Sequence, residues 1–347
     1  MHAVIFDEFG GPVDVRSVAD PTPSSAGVVV QVHATGLCRS DWHAWAGHDD
    51  GVALPHVPGH ELVGVVVEVG ADVRRWAVGD RVTTPFVCGC GACAWCVGGQ
   101  AQVCPDQTQP GFTHWGSFAE YVALHAADTN LVAVPQSIGD AAAAALGCRF
   151  ATAYRALRAR ADVQAGEWVT VVGVGGVGLS AVQVAAAVGA KVIAVDRTPA
   201  ALELARSLGA TETVLADGSD VPAAVHDLTG GGSHVAVDAV GTPGTCADAI
   251  HSLRRRGRHV QVGLLPNVDG HPAVPMDRVI AWELDVFGSH GMASVDYPEL
   301  LGLVAAGTLR PEALVERVVG LKEGACLLPE IGTASPVGVT LIDPRRP

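Results

Sequence analysis

Val169-Thr170-Val171-Val172-Gly173-Val174-Gly175-Gly176-Val177-Gly178-Leu179 decides the fold of the second half of this 347-residue chain. A β-branched run enters Gly-x-Gly-x-x-Gly, and a small-residue helical stretch follows to Val188. A second apolar run, Lys191–Val195, ends on Asp196. Strand, glycine turn, helix, strand and acid are the ordered parts of a dinucleotide-binding βαβ unit. Gly173 permits the tight turn, Gly175 lets the backbone approach a pyrophosphate, and Gly178 lets the helix lie close on the strand. With Gly176 and Val177 they open the helix, whose first N–H groups are free for phosphate. Asp196 is placed to take both ribose hydroxyls and to repel a 2′-phosphate, which favours NAD over NADP. Arg197, beside it, could instead pair with such a phosphate.

Outward from this stretch the pattern keeps alternating. Strands are expected at 169–173, 191–195, 213–215, 234–240 and 258–262, with helices at 177–188, 199–208, 220–228 and 244–253 between them. A further strand is expected over Glu283–Phe287 and a helix over Pro298–Ala306. This predicts an α/β Rossmann domain, a doubly wound parallel sheet, over 151–290. Residues 1–150 instead show short β-like runs (Val28–Ala34, Leu62–Val69, Arg81–Thr84) separated by turn residues, which predicts a compact, barrel-like antiparallel domain. The segment 291–347 is expected to return to that first domain. From Ala313 onward its signals are mixed.

Lys and Arg number 22 against 36 Asp and Glu, a formal net charge of −14. Nucleic-acid binding is disfavoured, because a phosphate backbone is met by clustered basic residues. The one basic cluster, Arg254-Arg255-Arg256 with Arg258, reads as the cationic end of a helix. There is no signal-like start and no apolar run of membrane-spanning length, so a cytoplasmic location is expected. In a reducing compartment nine cysteines point to metal binding or chemistry more than to disulfides.

Four of them form C-x2-C-x2-C-x7-C: Cys90, Cys93, Cys96 and Cys104, in a lobe spanning about 88–105. Thiolates this crowded suit a tetrahedral structural zinc with every position filled by protein, although an iron–sulfur cluster takes the same number. Cys88 lies just outside the pattern and reads as an ordinary thiol. A second set is dispersed: Cys38, His60-Glu61 and Cys148. Spacing alone leaves each of these as compatible with ordinary packing as with ligation, and Cys148 in an alanine-rich stretch most of all.

Taken together, Gly36-Leu-Cys38-Arg39-Ser40-Asp41-Trp-His43, Gly59-His60-Glu61, the four-cysteine lobe, Gly116-Ser-Phe-Ala-Glu-Tyr121, Gly147-Cys148 and the glycine turn resemble, in order and over essentially the whole chain, the zinc-dependent medium-chain alcohol dehydrogenase family. The resemblance implies a GroES-like catalytic domain, a Rossmann domain and an active site in the cleft between them. It implies a catalytic zinc held by Cys38, His60 and Cys148 with one position open, the Cys₂His arrangement for which alcohol dehydrogenase is itself the standard example. Glu61 resembles a glutamate that approaches the metal during ligand exchange. Asp41 resembles the acid that fixes the tautomer of the ligand histidine. Ser40 and His43 match the two ends of a proton relay, and Arg39 a position that meets the cofactor pyrophosphate. An unattached arginine or a surface histidine would serve no such purpose.

The implied reaction is reversible hydride transfer between an alcohol held at zinc and nicotinamide, giving an aldehyde or ketone. Two zinc ions per chain and NAD are the implied cofactors. Trp45 and Phe86 match pocket positions, and Trp42 and Trp115 could add to the wall, which favours a flat or slender substrate. Val87-Cys88 and the tail depart from the family pattern. Polyol, formaldehyde-adduct or NADP-dependent carbonyl chemistry on the same scaffold are the alternatives. A zinc-free quinone reductase would lack both cysteine sets, and a non-enzymatic nucleotide-binding relative would have lost Ser40, His43 or a ligand. The resemblance also implies Rossmann sheets paired edge to edge across a two-fold axis, hence a homo-oligomer, dimer or tetramer. His290, in Phe287-Gly288-Ser289-His290-Gly291, could line the nicotinamide site or be a plain loop residue.

Overall fold

The computed structural model describes residues 1–265, 272–332 and 337–346, so part of the expected tail (333–336 and 347) lies outside the described residues. The chain divides into two compact units. One comprises Met1–Ala151 with Gly291–Pro347, the other Thr152–His290.

The second unit is built on six strands, all parallel. From edge to edge they are Glu212–Leu215, Lys191–Asp196, Trp168–Val172, Ser233–Asp238, Leu253–Gln261 and Asp285–Gly288. In chain order this is 3-2-1-4-5-6, the doubly wound arrangement whose strand order reverses beside the first strand. That first strand carries Val169, Val171 and Val172, all buried, as a strand covered on both faces requires. The helix Gly176–Val188 follows the glycine turn. A Cβ on Gly178 would stand 1.9 Å from the Gly173 carbonyl oxygen, so only glycine lets this helix approach its strand.

The arginine cluster does not end a helix. Helix Pro243–His251 stops short of it, and Arg254, Arg255, Arg256 and Arg258 lie within the strand Leu253–Gln261. Arg255 and Arg278 stack on Trp282, their Cζ atoms 4.8 and 4.0 Å from the ring centroid. Arg258 donates to the carbonyls of Ala161 and Asp162 and ion-pairs with Glu167. Partners on other segments, among them Trp282, Glu283, His234 and the carbonyl end of the helical stretch Ala156–Arg160, account for these cations rather than the end of helix Pro243–His251.

The first unit holds a mixed seven-stranded sheet. Val28–Leu37 lies at its centre, flanked by Leu62–Val69 and by Tyr121–Leu124. The tail is more regular than its sequence suggests. Helix Leu321–Glu330 packs through Leu321, Ala325 and Leu328 against Val4, Leu37 and Phe118. Strand Val339–Ile342 then pairs antiparallel with Val28–Leu37 and parallel with Val315–Val319. This parallel pair makes the sheet mixed, where an antiparallel one was expected. No described helix is long and apolar enough to cross a membrane.

Candidate metal centres and nucleotide turn

Helix Arg39–Trp45 begins at Cys38, which takes the N-cap position. Asp41, in its first turn, is fully buried and forms a hub. One carboxylate oxygen accepts from the Cys38 N–H at 2.9 Å. The other accepts from the Gly59 N–H at 3.0 Å and from His60 Nδ1 at 2.9 Å. An ionised carboxylate only accepts, so Nδ1 carries a proton, and in the neutral ring that a metal would bind Nε2 carries the lone pair. That Nε2 is buried and has no hydrogen-bond partner.

Cys148 reaches the same place from a helical stretch that opens as a π-turn over Leu146–Phe150. Single π-turns insert a residue and redirect a side chain, and they concentrate at functional sites. Gly147 makes the approach possible. A Cβ there would lie 3.1 Å from Glu61 Cα and 3.3 Å from the Thr84 carbonyl. Cys38, His60, Glu61 and Cys148 thus present ligand atoms that all lie within 4.8 Å of one another, and Cys38, His60 and Glu61 are themselves buried. A lone pair aimed into two sulfurs, with its far nitrogen fixed by a carboxylate, is the donor set of a zinc site. The hydrogen bond to Cys148 holds Cys38 well below the ordinary thiol range against the effect of burial, and Arg149 and His60 pull in the same direction. That favours the thiolate, the ligating form.

Arg149, next to Cys148, escaped sequence reasoning. Its Nε donates to the two Glu61 oxygens at 2.8 and 3.0 Å, and its second nitrogen makes a shorter contact to the same carboxylate. Burial raises the Glu61 carboxyl while Arg149 opposes it. Even so the carboxyl stays above its ordinary range, and Arg149 is the cation that favours its charged form beside the ligand set. Phe112 was also missed. Its ring centroid lies 5.1 Å from that of His60, and Phe86 lies at 6.1 Å on an edge-on approach. Trp45 packs with Phe6, Ala44, Val52 and Phe112, and its indole N–H donates to the Gly11 carbonyl. Trp115 donates likewise to Pro55.

Ser40 Oγ lies 3.8 Å from Cys38 Sγ. His43, half-buried in the last turn of the same helix, meets the exposed His48 ring. Arg39 is exposed and makes one long contact, 3.4 Å, to the Ile331 carbonyl. His290 is exposed as well.

Cys90, Cys93, Cys96 and Cys104 converge within the same 4.8 Å limit. Backbone N–H groups point at the sulfurs: Cys93 N to Cys90, Cys96 N to Cys93 and Cys90 N to Cys104, at 3.4–3.5 Å. Hydrogen bonds from the Ala92 and Cys93 backbone hold Cys90 down at about 7. Asn130 anchors the lobe from outside, accepting from Gly89 N at 2.8 Å and donating to Gly89 O at 2.9 Å. Cys88 stays apart. Its buried thiol donates to the Pro85 carbonyl, and burial pushes it up to about 11, so it remains a protonated core thiol.

At the nucleotide turn, helix Gly176–Val188 has Gly175 at its N-cap and no side chain capping it. A Cβ on Gly175 would meet nothing within 4 Å, which leaves the first N–H groups open to a phosphate. Asp196 sits at the end of its strand. It accepts from Val174 N and from Thr198 N, each at 2.9 Å, so one acid both ties the glycine turn and fixes its own orientation.

Comparison with known proteins agrees with this geometry. Residues 24–136 match the family model of an alcohol dehydrogenase GroES-like domain, and residues 176–306 that of a zinc-binding dehydrogenase. An alcohol dehydrogenase of Geobacillus stearothermophilus is 35% identical over 315 residues, covering 90% of each chain. An alcohol dehydrogenase from Thermus sp. ATN1 superposes with a TM-score of 0.89 at 30% identity, over 99% of both chains. A solved NAD-dependent alcohol dehydrogenase does so with a TM-score of 0.88 at 31% identity, again over 99% of both. The chain therefore belongs to the zinc-dependent, GroES-like alcohol dehydrogenase family.

Proposed function

We propose that the protein catalyses the reversible NAD-linked oxidation of a small alcohol to an aldehyde or ketone, with a catalytic zinc on Cys38, His60 and Cys148 and a structural zinc on the four-cysteine lobe. The observation that carries this reading is the buried His60 Nε2, which has no hydrogen-bond partner and converges with two thiols. When bound, the catalytic zinc supplies an electrophilic centre that makes an alcohol proton easier to lose and a carbonyl easier to reduce. NAD held at the glycine turn of Gly173 to Gly178 would supply the hydride acceptor or donor.

The protein supplies the positioning. Asp41 holds the His60 ring by its Nδ1 proton and also secures the start of the helix that carries Cys38. Arg149 holds Glu61 beside the ligands as a charged carboxylate. Ser40 takes the alcohol proton at Oγ and passes it on toward His43. Phe86 and Phe112 flank the His60 ring and limit water around it. Glycine-turn N–H groups from Gly175 to Gly178 receive the cofactor phosphates, with Arg39 assisting. Asp196, oriented by two backbone N–H groups, has lone pairs left for ribose hydroxyls and disfavours a 2′-phosphate.

The chain assembles as a homo-oligomer through the edge strand Asp285–Gly288, where Asp285, Val286 and Gly288 are exposed. Absorbance at 340 nm with NAD and a panel of primary, secondary and aromatic alcohols tests the function. NADH formation with at least one class is the expected outcome. Two zinc ions per chain with no turnover of any alcohol, using NAD or NADP, would reject it.

A further inference from the structure

Beyond the end of helix Arg39–Trp45 the chain turns at Gly47, with φ of +77°, and His48 folds back on the helix. The His48 N–H donates to the His43 carbonyl at 2.9 Å, and the two ring Nδ1 atoms also lie 2.9 Å apart. Trp42 braces both rings edge-on, its centroid 4.9 Å from His43 and 5.3 Å from His48. Two imidazole nitrogens at this distance share a single proton, one ring donating and the other accepting.

We propose that His48 is the outer member of a two-histidine proton exit, taking the proton from His43 and releasing it to water or a buffer base. The proposal rests on the reading of Ser40 and His43 as the inner proton path. His43 gains a proton at Nε2 and gives up its Nδ1 proton to His48 Nδ1. His48 then loses its Nε2 proton to solvent. One N–H bond forms and one breaks on each ring, so no net charge accumulates, and tautomer exchange through water, on rings neither of which is fully buried, resets the pair.

The surroundings make the transfer run outward. Burial acts first to hold His43 below its ordinary range, with His48 and Arg39 adding to it and Cys38 opposing. His48 is exposed, so the outer ring meets water directly. A helix-ending contact would need none of this asymmetry.

The variants that separate the readings are His48→Asn and His48→Ala in the zinc-loaded enzyme. Asparagine can keep a hydrogen bond to His43 but cannot pass a proton. With a pH indicator in weak buffer near neutrality, proton release during alcohol oxidation should slow about tenfold in both variants, and added imidazole should restore it. Ring ¹⁵N NMR without substrate should show His43 and His48 titrating as a coupled pair in the native enzyme, and His43 as a single site in His48→Asn. Slowed release that imidazole does not rescue would mean a structural role and overturn the proposal. Unchanged release in both His48 variants, with release still slowed by His43→Ala, would overturn the proposal alone. Unchanged release in Ser40→Ala and His43→Ala as well would also remove the inner path.

Discussion

The two cysteine centres are built by opposite strategies. The lobe takes all its sulfurs from one stretch, Cys90 to Cys104, holds them with its own backbone N–H groups and leaves the exposed Trp95 and Val97 beside them. The second centre gathers Cys38, His60 and Cys148 from three distant segments into a buried place and fixes them through other buried charges, Asp41 and the Glu61–Arg149 pair. The first draws all its ligands from one loop, with Asn130 as an anchor from outside. The second needs the whole unit folded around it. A closed set of four thiolates has a structural task, whereas three ligands on a buried, braced frame keep one position for substrate.

Perturbing each centre should therefore fail differently. Cys148→Ala should lower turnover by on the order of a thousandfold or more while the melting temperature stays near native, read by NADH formation beside calorimetry. Unfolding in step with the activity loss would erase the contrast. Arg149→Met leaves Glu61 buried beside the ligands with no cation, and should cost about 3–5 kcal/mol in denaturant unfolding. Glu61→Gln in the same background should recover part of that loss, because the unpaired charge is gone.

Asp41→Asn keeps the shape of the hub but weakens its grip on the His60 ring. It should reduce zinc affinity at that centre by about 10–100-fold in chelator competition and leave the lobe zinc untouched. A different readout is pH. His114 shares a backbone turn with Gly111, and burial, with His125 adding, lowers it to about 4. An unfolded histidine protonates near 6.5, so between there and about 4 the unfolded chain binds the extra proton. Stability should thus fall as pH drops through that window, by at most about 1.4 kcal/mol per pH unit, and His114→Phe should flatten the slope.

What the sequence revealed follows the same division. The lobe and the glycine turn are local patterns, so spacing alone marked Cys90, Cys93, Cys96 and Cys104, and the strand-turn-helix order marked Gly173 to Gly178. Cys38, His60 and Cys148 are meaningful only as a set, and a resemblance was needed to bring them together. Arg149, Phe112, Asn130 and His48 carried no local signal, because their partners lie on other segments or across a turn: Glu61, the His60 ring, Gly89 and His43. Arg254–Arg258 misled for the same reason. Charge next to a helix suggested a cap, while Trp282 and the Ala161 and Asp162 carbonyls, far off in the sequence, are what those arginines meet. The tail looked irregular because Pro329 stands inside its helix, yet packing onto Val4 and Phe118 outweighs that local penalty.

The most direct test is stepwise removal of zinc with a graded chelator, following metal content, NADH formation and melting temperature on one sample. Loss of the buried-centre zinc should abolish turnover with little change in melting, and loss of the lobe zinc should lower the melting temperature. Turnover that persists once the buried-centre zinc has left, or melting that collapses with that zinc, would contradict the assignment of catalysis to the buried centre.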